Sequence, residues 1–287
     1  NYKAKVRLKG DWADHLDGDR WSYRVKLKGD QRLFGMKKFS LQQPKTRNHI
    51  NEWVYHKLLK KENIPSLRYL FLPLKVNGNN HGIYALEEHF DKILIENNQF
   101  KEGPIVKLSE ALYWDNEARA RKIYKTYKFP KNICCKNPVN LELNTQVELF
   151  KEEQILADPN LNIQFQKAAQ LLDGFYKNKL TTNLVFDINK LSIYFAINDL
   201  TNGQHGSTWH NYRFYYNPII SKLIPIGFDA MPSNKPIDLT LIERDYKNNI
   251  MNFFKDQKLV KAYISHLERI TKKSYLDNFF LTIKEDY

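Results

Sequence analysis

His205, Asn211 and Asp229 fall in one stretch, "GQHGSTWHNYRFYYNPIISKLIPIGFDA". Asn211 opens the strand-like run "NYRFYY", "NPIISK" makes a turn, and "LIPIGFDA" returns to end on Asp229. Such a hairpin sets an amide and a carboxylate at the same end, where their oxygens can share one Mg²⁺, a hard cation that takes oxygen ligands. His205 stands just ahead of them with a side-chain pKa near neutrality, which suits a general base, and Asp199 is close in sequence. A zinc site built from His205, His210 and Asp229 is the competing metal reading, but the spacing is not the i, i+4 of a helical HExxH. Each His also has an ordinary reading as a hydrogen-bonded loop residue, and Asp229 as a turn residue closing a strand.

These residues need elements to place them. Residues 2 to 41 alternate apolar and polar positions in "AKVRLKGD", "WSYRVKLKGD" and "KKFSLQQ", the period of half-buried strands, with an acidic loop, "GDWADHLDGD", between the first two. Ile50, Trp53, Val54 and Leu58 then fall at helical spacing, with Asn48 as a candidate cap and Pro65 beyond the end. "LRYLFLPLKVNGNNHGIYALEEHF" predicts two strands joined at Asn-Gly, the first of them an edge strand or a bulged one because of Pro73. From Asp91 the pattern turns helical: Phe165, Ala168, Ala169, Leu172 and Tyr176 share a face, as do Leu259, Tyr263, Leu267 and Ile270. A third helix, "FDINKLSIYFAINDL", starts at Asp187 as its cap and leads into the stretch quoted first. The reading is an α+β chain with a strand-rich part over 1–90 and a mainly helical part over 91–287, the latter interrupted by a polar, weakly periodic insertion at about 113–162.

The 287 residues are 42% hydrophobic, enough for a sizeable core, and carry a net charge of +13. That charge favours anionic partners such as nucleotides, nucleic acid, anionic lipid or acidic protein, and a solvated basic surface explains it equally well. Basic residues interleaved with "NYRFYY" and "LRYLF" could serve a nucleic-acid binder, but the aromatics alternate at strand period, so burial of one face accounts for them, and no known nucleic-acid module is visible. No apolar run approaches a membrane span. The chain begins inside a strand without a leader pattern, as a domain cut from a longer protein would. Cys134 and Cys135 are adjacent and do not form a CxxC-type metal or redox pair.

Strands and one helix followed by a helical part with a catalytic loop and a metal-binding hairpin resemble the protein-kinase plan. More specifically, "VRLKGDW", "SYRVKLKG", "KKFSLQQPKTRNHINEWVYHKLL", "VNGNNHGIYALEEHF" and "NDLTNGQHG" with "HNYRFYYNPIISKLIPIGFDA" resemble the CotH family of spore-coat-protein-H-like atypical kinases, over most of residues 4–231. The resemblance implies a two-lobed kinase-like fold, ATP- and Mg²⁺-dependent phosphorylation of a protein acceptor, and a secreted or cell-envelope setting. Asp229 matches the family's metal-binding Asp, Asn211 the Asn opening the preceding strand, and Glu87 or Glu88 the Glu after the "GIY" strand. Neither GxGxxG nor GxxxxGK[ST] is present, so the cations for the ATP phosphates would come from Arg20, Lys37 or Lys38, and Lys107. By analogy with the kinase Lys–Glu pair, Glu52 would orient Lys38. One departure stands out: "NDLTNGQHG" sets His205 where many members carry Asp. His205 as base, a different acceptor or transferred group, and a nucleotide-binding pseudokinase all remain open on the sequence.

Overall fold

The computed structural model describes residues 2–10, 15, 18–127, 145–235 and 250–286. Cys134, Cys135 and most of the acidic loop lie outside the described residues.

Five antiparallel strands form the first sheet: β1 (Ala4–Leu8), β2 (Tyr23–Leu27), β3 (Lys38–Gln42), β4 (Tyr69–Val76) and β5 (Asn79–Glu88), in the order β1-β2-β3-β5-β4. The period-two alternation sends Val25, Leu27, Phe39, Leu41 and Leu86 to one apolar face, closed by Met36. β4 is an edge strand and its register shifts between Pro73 and Lys75, so both consequences of Pro73 are present. Asn77 and Gly78 turn the β4–β5 hairpin with φ of 51° and 85°. Helix α1 (Asn51–Lys61) follows β3. It begins two residues later than a cap at Asn48 implies, with Ile50 at the cap position: Asn48 is left-handed (φ 52°) at the end of the short turn Pro44–Arg47, and its amide donates instead to the carbonyl of Pro232 at 2.8 Å.

The rest runs α2 (Lys92–Asn97), β6 (Ile105–Leu108), α3 (Ala111–Tyr127), β7 (Val147–Leu149), α4 (Glu152–Ala157), α5 (Pro159–Tyr176), α6 (Thr182–Val185) and α7 (Ile188–Leu200). β8 (Phe214–Asn217), β9 (Lys222–Pro225), α8 (Ile250–Phe253), α9 (Gln257–Ile270) and α10 (Lys273–Ile283) complete it. A second antiparallel sheet has the order β7-β6-β8-β9. Its β8–β9 hairpin is the one read from "NYRFYYNPIISKLIP", but its strands are shorter than expected: β8 starts at Phe214, with Asn211 in the turn before it, and β9 stops at Pro225, ahead of Asp229. β6 and β7, four and three residues long, are too short to leave a periodic signal. Helix α7 is apolar on nearly all sides and runs through the main core, capped by the carboxylate of Asp187 on the Lys190 N–H at 3.1 Å. The architecture is α+β. No helix among the described residues is long and apolar enough to cross a membrane.

One contact between the two parts fixes the site. Ser66, beyond α1, makes a parallel bridge with Gly227, whose N–H donates to the Pro65 carbonyl at 3.0 Å. The approach needs glycine: a Cβ on Gly227 would lie 1.9 Å from Cδ1 of Leu59. The chain that leaves β9 is therefore laid directly on α1, two residues before Asp229.

Candidate functional site: a buried charge cluster around Asp229

Asp229 sits at a left-handed turn (φ 50°), a conformation Asp tolerates better than most side chains. The turn sends its carboxylate inward, 14% exposed, where Oδ1 meets Nε of Arg47 at 2.8 Å. Neither of these buried atoms makes a hydrogen bond, so the contact is charge against charge without donor alignment. Burial opposes ionisation, but Arg47 and His205 outweigh it and hold the Asp229 carboxyl far below the usual carboxylate range.

His205 Nδ1 lies 2.8 Å from the Asp229 carbonyl oxygen and 3.6 Å from its Oδ1. A carbonyl can only accept, so Nδ1 carries the proton and Nε2 is left as the basic nitrogen of the neutral ring. Burial works against charging this imidazole, yet its bonds to Asp229 and the Asp229 charge raise its pKa. Asn211 donates from Nδ2 to the His205 carbonyl at 3.0 Å and stands 3.0 Å from Nδ1. That fixes the amide orientation and leaves Oδ1 as its free acceptor end. Gly206 permits this packing, since a Cβ there would come within 3.1 Å of the Phe228 carbonyl.

On the sheet side, Lys9 Nζ donates to Gln42 Oε1 at 2.8 Å and to Glu87 Oε1 at 3.0 Å, and Gln42 donates to Glu87 Oε2 at 2.7 Å. Burial would raise the Glu87 carboxyl, but Lys9 and Arg47 pull it below its ordinary value. Glu52, on α1, accepts from the backbone N–H groups of Ala230 and Met231 at 3.1 and 2.9 Å. Burial, reinforced by Asp229, pushes its carboxyl up to about 7. Arg47 is thus the cation shared by Asp229, Glu87 and Glu52, whose combined charge outweighs its burial and raises its pKa further.

The structure brings together Asn211, Asp229, His205, Glu52 and Glu87 of the residues singled out in the sequence. The others lie elsewhere. The Glu52–Lys38 pair is not formed: Lys38 Nζ is 2.6 Å from His89 Nε2 at the far end of β3, while Glu52 holds the Asp229 turn. Lys37 lies in the bend that leads into β3, where its carbonyl accepts from the Leu27 N–H at 2.9 Å. Arg20 donates to the Ile83 carbonyl at 2.6 Å and lies over the Tyr84 ring, and Lys107 is paired with Glu110 and Glu148 at 3.2 and 3.1 Å. Glu88 faces away from Glu87 and clamps Arg68, as alternation along β5 requires. Asp199 is wholly buried in α7 and accepts from the Tyr263 hydroxyl of α9; a carboxylate with no exposed surface does not meet an acceptor. Sequence reasoning missed Lys9 and Arg47. Lys9 carries no signal in the sequence beyond being the next alternate position after Arg7, and Arg47 none beyond being a basic residue ahead of the helical pattern that starts at Ile50.

The donor set suits Mg²⁺ in a limited way. Asp229 Oδ1 is a buried oxygen without a hydrogen bond, and Asn211 Oδ1 is a second hard donor. Among the described residues no group of three or more His, Cys, Asp or Glu side chains could hold a metal. That is compatible with Mg²⁺, which commonly takes one or two protein oxygens and completes its shell with water and phosphate. His205, His210 and Asp229, the set weighed for zinc, do not form such a group.

No curated protein matches the chain. A family model described as CotH kinase protein matches residues 6–230, a span that starts in β1 and ends immediately after Asp229. The match therefore takes in every member of the charge cluster from Lys9 to Asp229, and the chain belongs to the CotH kinase family.

Proposed function

We propose that the chain is an ATP- and Mg²⁺-dependent phosphotransferase that acts on a protein acceptor. The observation that carries the reading is the unbonded, ionised Oδ1 of Asp229, held beside Arg47 and the Nε2 base of His205 within a kinase-family match. Asp229 and Asn211 would hold Mg²⁺, which when bound neutralises phosphate charge. Arg47 would have to leave Oδ1, and with Lys9 it supplies the cations nearest the phosphates. Glu87 and Gln42 keep Lys9 extended toward that position. His205, with Nδ1–H fixed on the Asp229 carbonyl, presents Nε2 to take the proton of an acceptor hydroxyl. Since phosphoryl transfer depends chiefly on positioning and electrostatics, loss of Asp229 should reduce turnover by about a hundredfold or more.

The contact of Arg47 with Asp229 supports a second reading, a pseudokinase whose metal oxygen is permanently neutralised. Calorimetry of ATP with and without Mg²⁺, on the wild type and Asp229→Asn, separates the two. Mg²⁺-dependent binding that the variant loses supports the phosphotransferase. ATP binding indifferent to Mg²⁺ and to the variant supports the pseudokinase, and no ATP binding by the wild type removes both.

A further inference from the structure

The face of the first sheet that carries Gln42 and Glu87 is basic across β1, β2 and the start of β3. Strand register places Lys5 opposite Lys26 and Lys26 opposite Lys38, and in the next row Arg7 opposite Arg24. Like charges directly opposed across strands destabilise a sheet. Among the described residues no carboxylate pairs with Lys5, Arg7, Lys26 or Lys38. Protection of an exposed edge accounts for Lys5 and Arg7 on β1. It does not account for Lys26 and Lys38 on the interior strands β2 and β3. Lys38 is half-buried against His89, and burial together with Arg24, Lys151, Arg7 and Lys26 pushes its ammonium down to about 8.

The rows are continuous with the charge cluster. On β3 the same face runs from Lys38 through Ser40 to Gln42, which bonds Lys9 and Glu87. Successive same-face residues are about 7 Å apart, the repeat of alternate side chains in any extended chain. We propose that this face seats an acidic, extended segment of the acceptor protein, with alternate carboxylates over successive cation rows. The proposal rests on the phosphotransferase reading for the word acceptor and gives that reaction its substrate class, an acidic protein segment. Charge patterns of this kind commonly set kinase–substrate specificity. Carboxylates fit better than a single-stranded nucleic acid, which takes aromatic stacking platforms between its phosphate contacts. On β1 to β3 this face offers only Lys, Arg, Ser and Gln.

The test is anisotropy of a labelled peptide of alternating Glu and Ser, without nucleotide, against its Lys-for-Glu counterpart and a single-stranded oligonucleotide of equal charge. The variant is Arg7→Glu with Lys26→Glu, and ATP binding is measured on the same samples. Support is selective binding of the acidic peptide, weakened about tenfold or more by the variant, with ATP affinity unchanged. The proposal is overturned if the acidic peptide does not bind, if both peptides bind alike, or if the oligonucleotide binds more tightly. It is also overturned if ATP affinity falls in step with peptide affinity, since the face would then be part of the nucleotide seat. Peptide binding by a protein that fails to bind ATP overturns the phosphotransferase reading and leaves an acidic-segment docking face.

Discussion

Nε of Arg47 stands 2.8 Å from Oδ1 of Asp229, yet neither atom makes a hydrogen bond. The pair is held by charge in a setting that hides both partners from water. Removing either one strips the other of its nearest opposite charge, leaving Glu87 and Glu52 to face Arg47, or His205 and Lys9 to face Asp229. Asp229→Asn and Arg47→Met should each cost about 3–5 kcal/mol, and the double variant should cost clearly less than their sum. Urea denaturation of the four proteins measures this, and additive costs would show that the two charges do not support one another.

The same contact makes Arg47 a competitor for any cation at Asp229. Arg47→Met should therefore tighten Mg²⁺ or Mn²⁺ binding in the absence of nucleotide, by about tenfold. Titration followed by Mn²⁺ paramagnetic relaxation reads the affinity directly. Equal affinities in the two proteins would mean that the guanidinium does not guard the oxygen.

Glu52 gives the cluster a pH signature. Burial and Asp229 raise its carboxyl from 4.5 to about 7, against Arg47 and the Ala230 N–H. Between those values the folded chain holds a proton that the unfolded chain has released, so this group's contribution to stability falls as pH rises through the window. Relative to Glu52→Gln, the wild type should lose on the order of 1–3 kcal/mol between pH 4.5 and 7. Melting curves of both proteins across that range test it; a difference independent of pH would place the Glu52 carboxyl at its ordinary value.

Gly227 is where backbone meets helix most closely. Gly227→Ala sets a methyl 1.9 Å from Leu59 Cδ1 and 3.2 Å from the Tyr55 ring, and overpacking of this kind costs about 1–3 kcal/mol. Leu59→Ala opens room for it, so the double variant should be more stable than the two single costs predict. Absence of that coupling would mean that the strain is absorbed in the backbone instead.

The basic face trades stability for charge. A single Lys26→Glu sits between Lys5 and Lys38 and converts two repulsive cross-strand pairs into attractive ones. It should stabilise the fold by about 0.2–1 kcal/mol for each pair while weakening an acidic peptide. Thermal unfolding in low salt shows the first effect, and a destabilised variant would mean that the cations were not repelling one another.

What the sequence disclosed depends on range. Asn211 and Asp229 were legible because one hairpin joins them, and Asp187 because a cap acts within three residues. Pro73 announced both its edge and its bulge, since a missing N–H has the same consequence wherever it sits. The partners of Glu52 could not be read. Its location on α1 was clear, but which of the many cations would reach it depends on how α1 lies against the Asp229 turn, and that is settled by Gly227 and Leu59, far apart in the chain. Lys9 and Lys38 are both on the basic face, and only strand register and packing decide that Lys9, not Lys38, is at the end where Glu87 and Arg47 converge.

Glu52 grips the two amides after Asp229 with its two oxygens, so α1 and that turn behave mechanically as one body. A tilt of the helix would strip two buried N–H groups of their acceptor or drag the Asp229 carboxylate with it. Force applied at the outer surface of α1, by a partner or by a neighbouring domain, would then arrive at Oδ1 as a displacement, with the helix as the lever and Glu52 as the coupling pin.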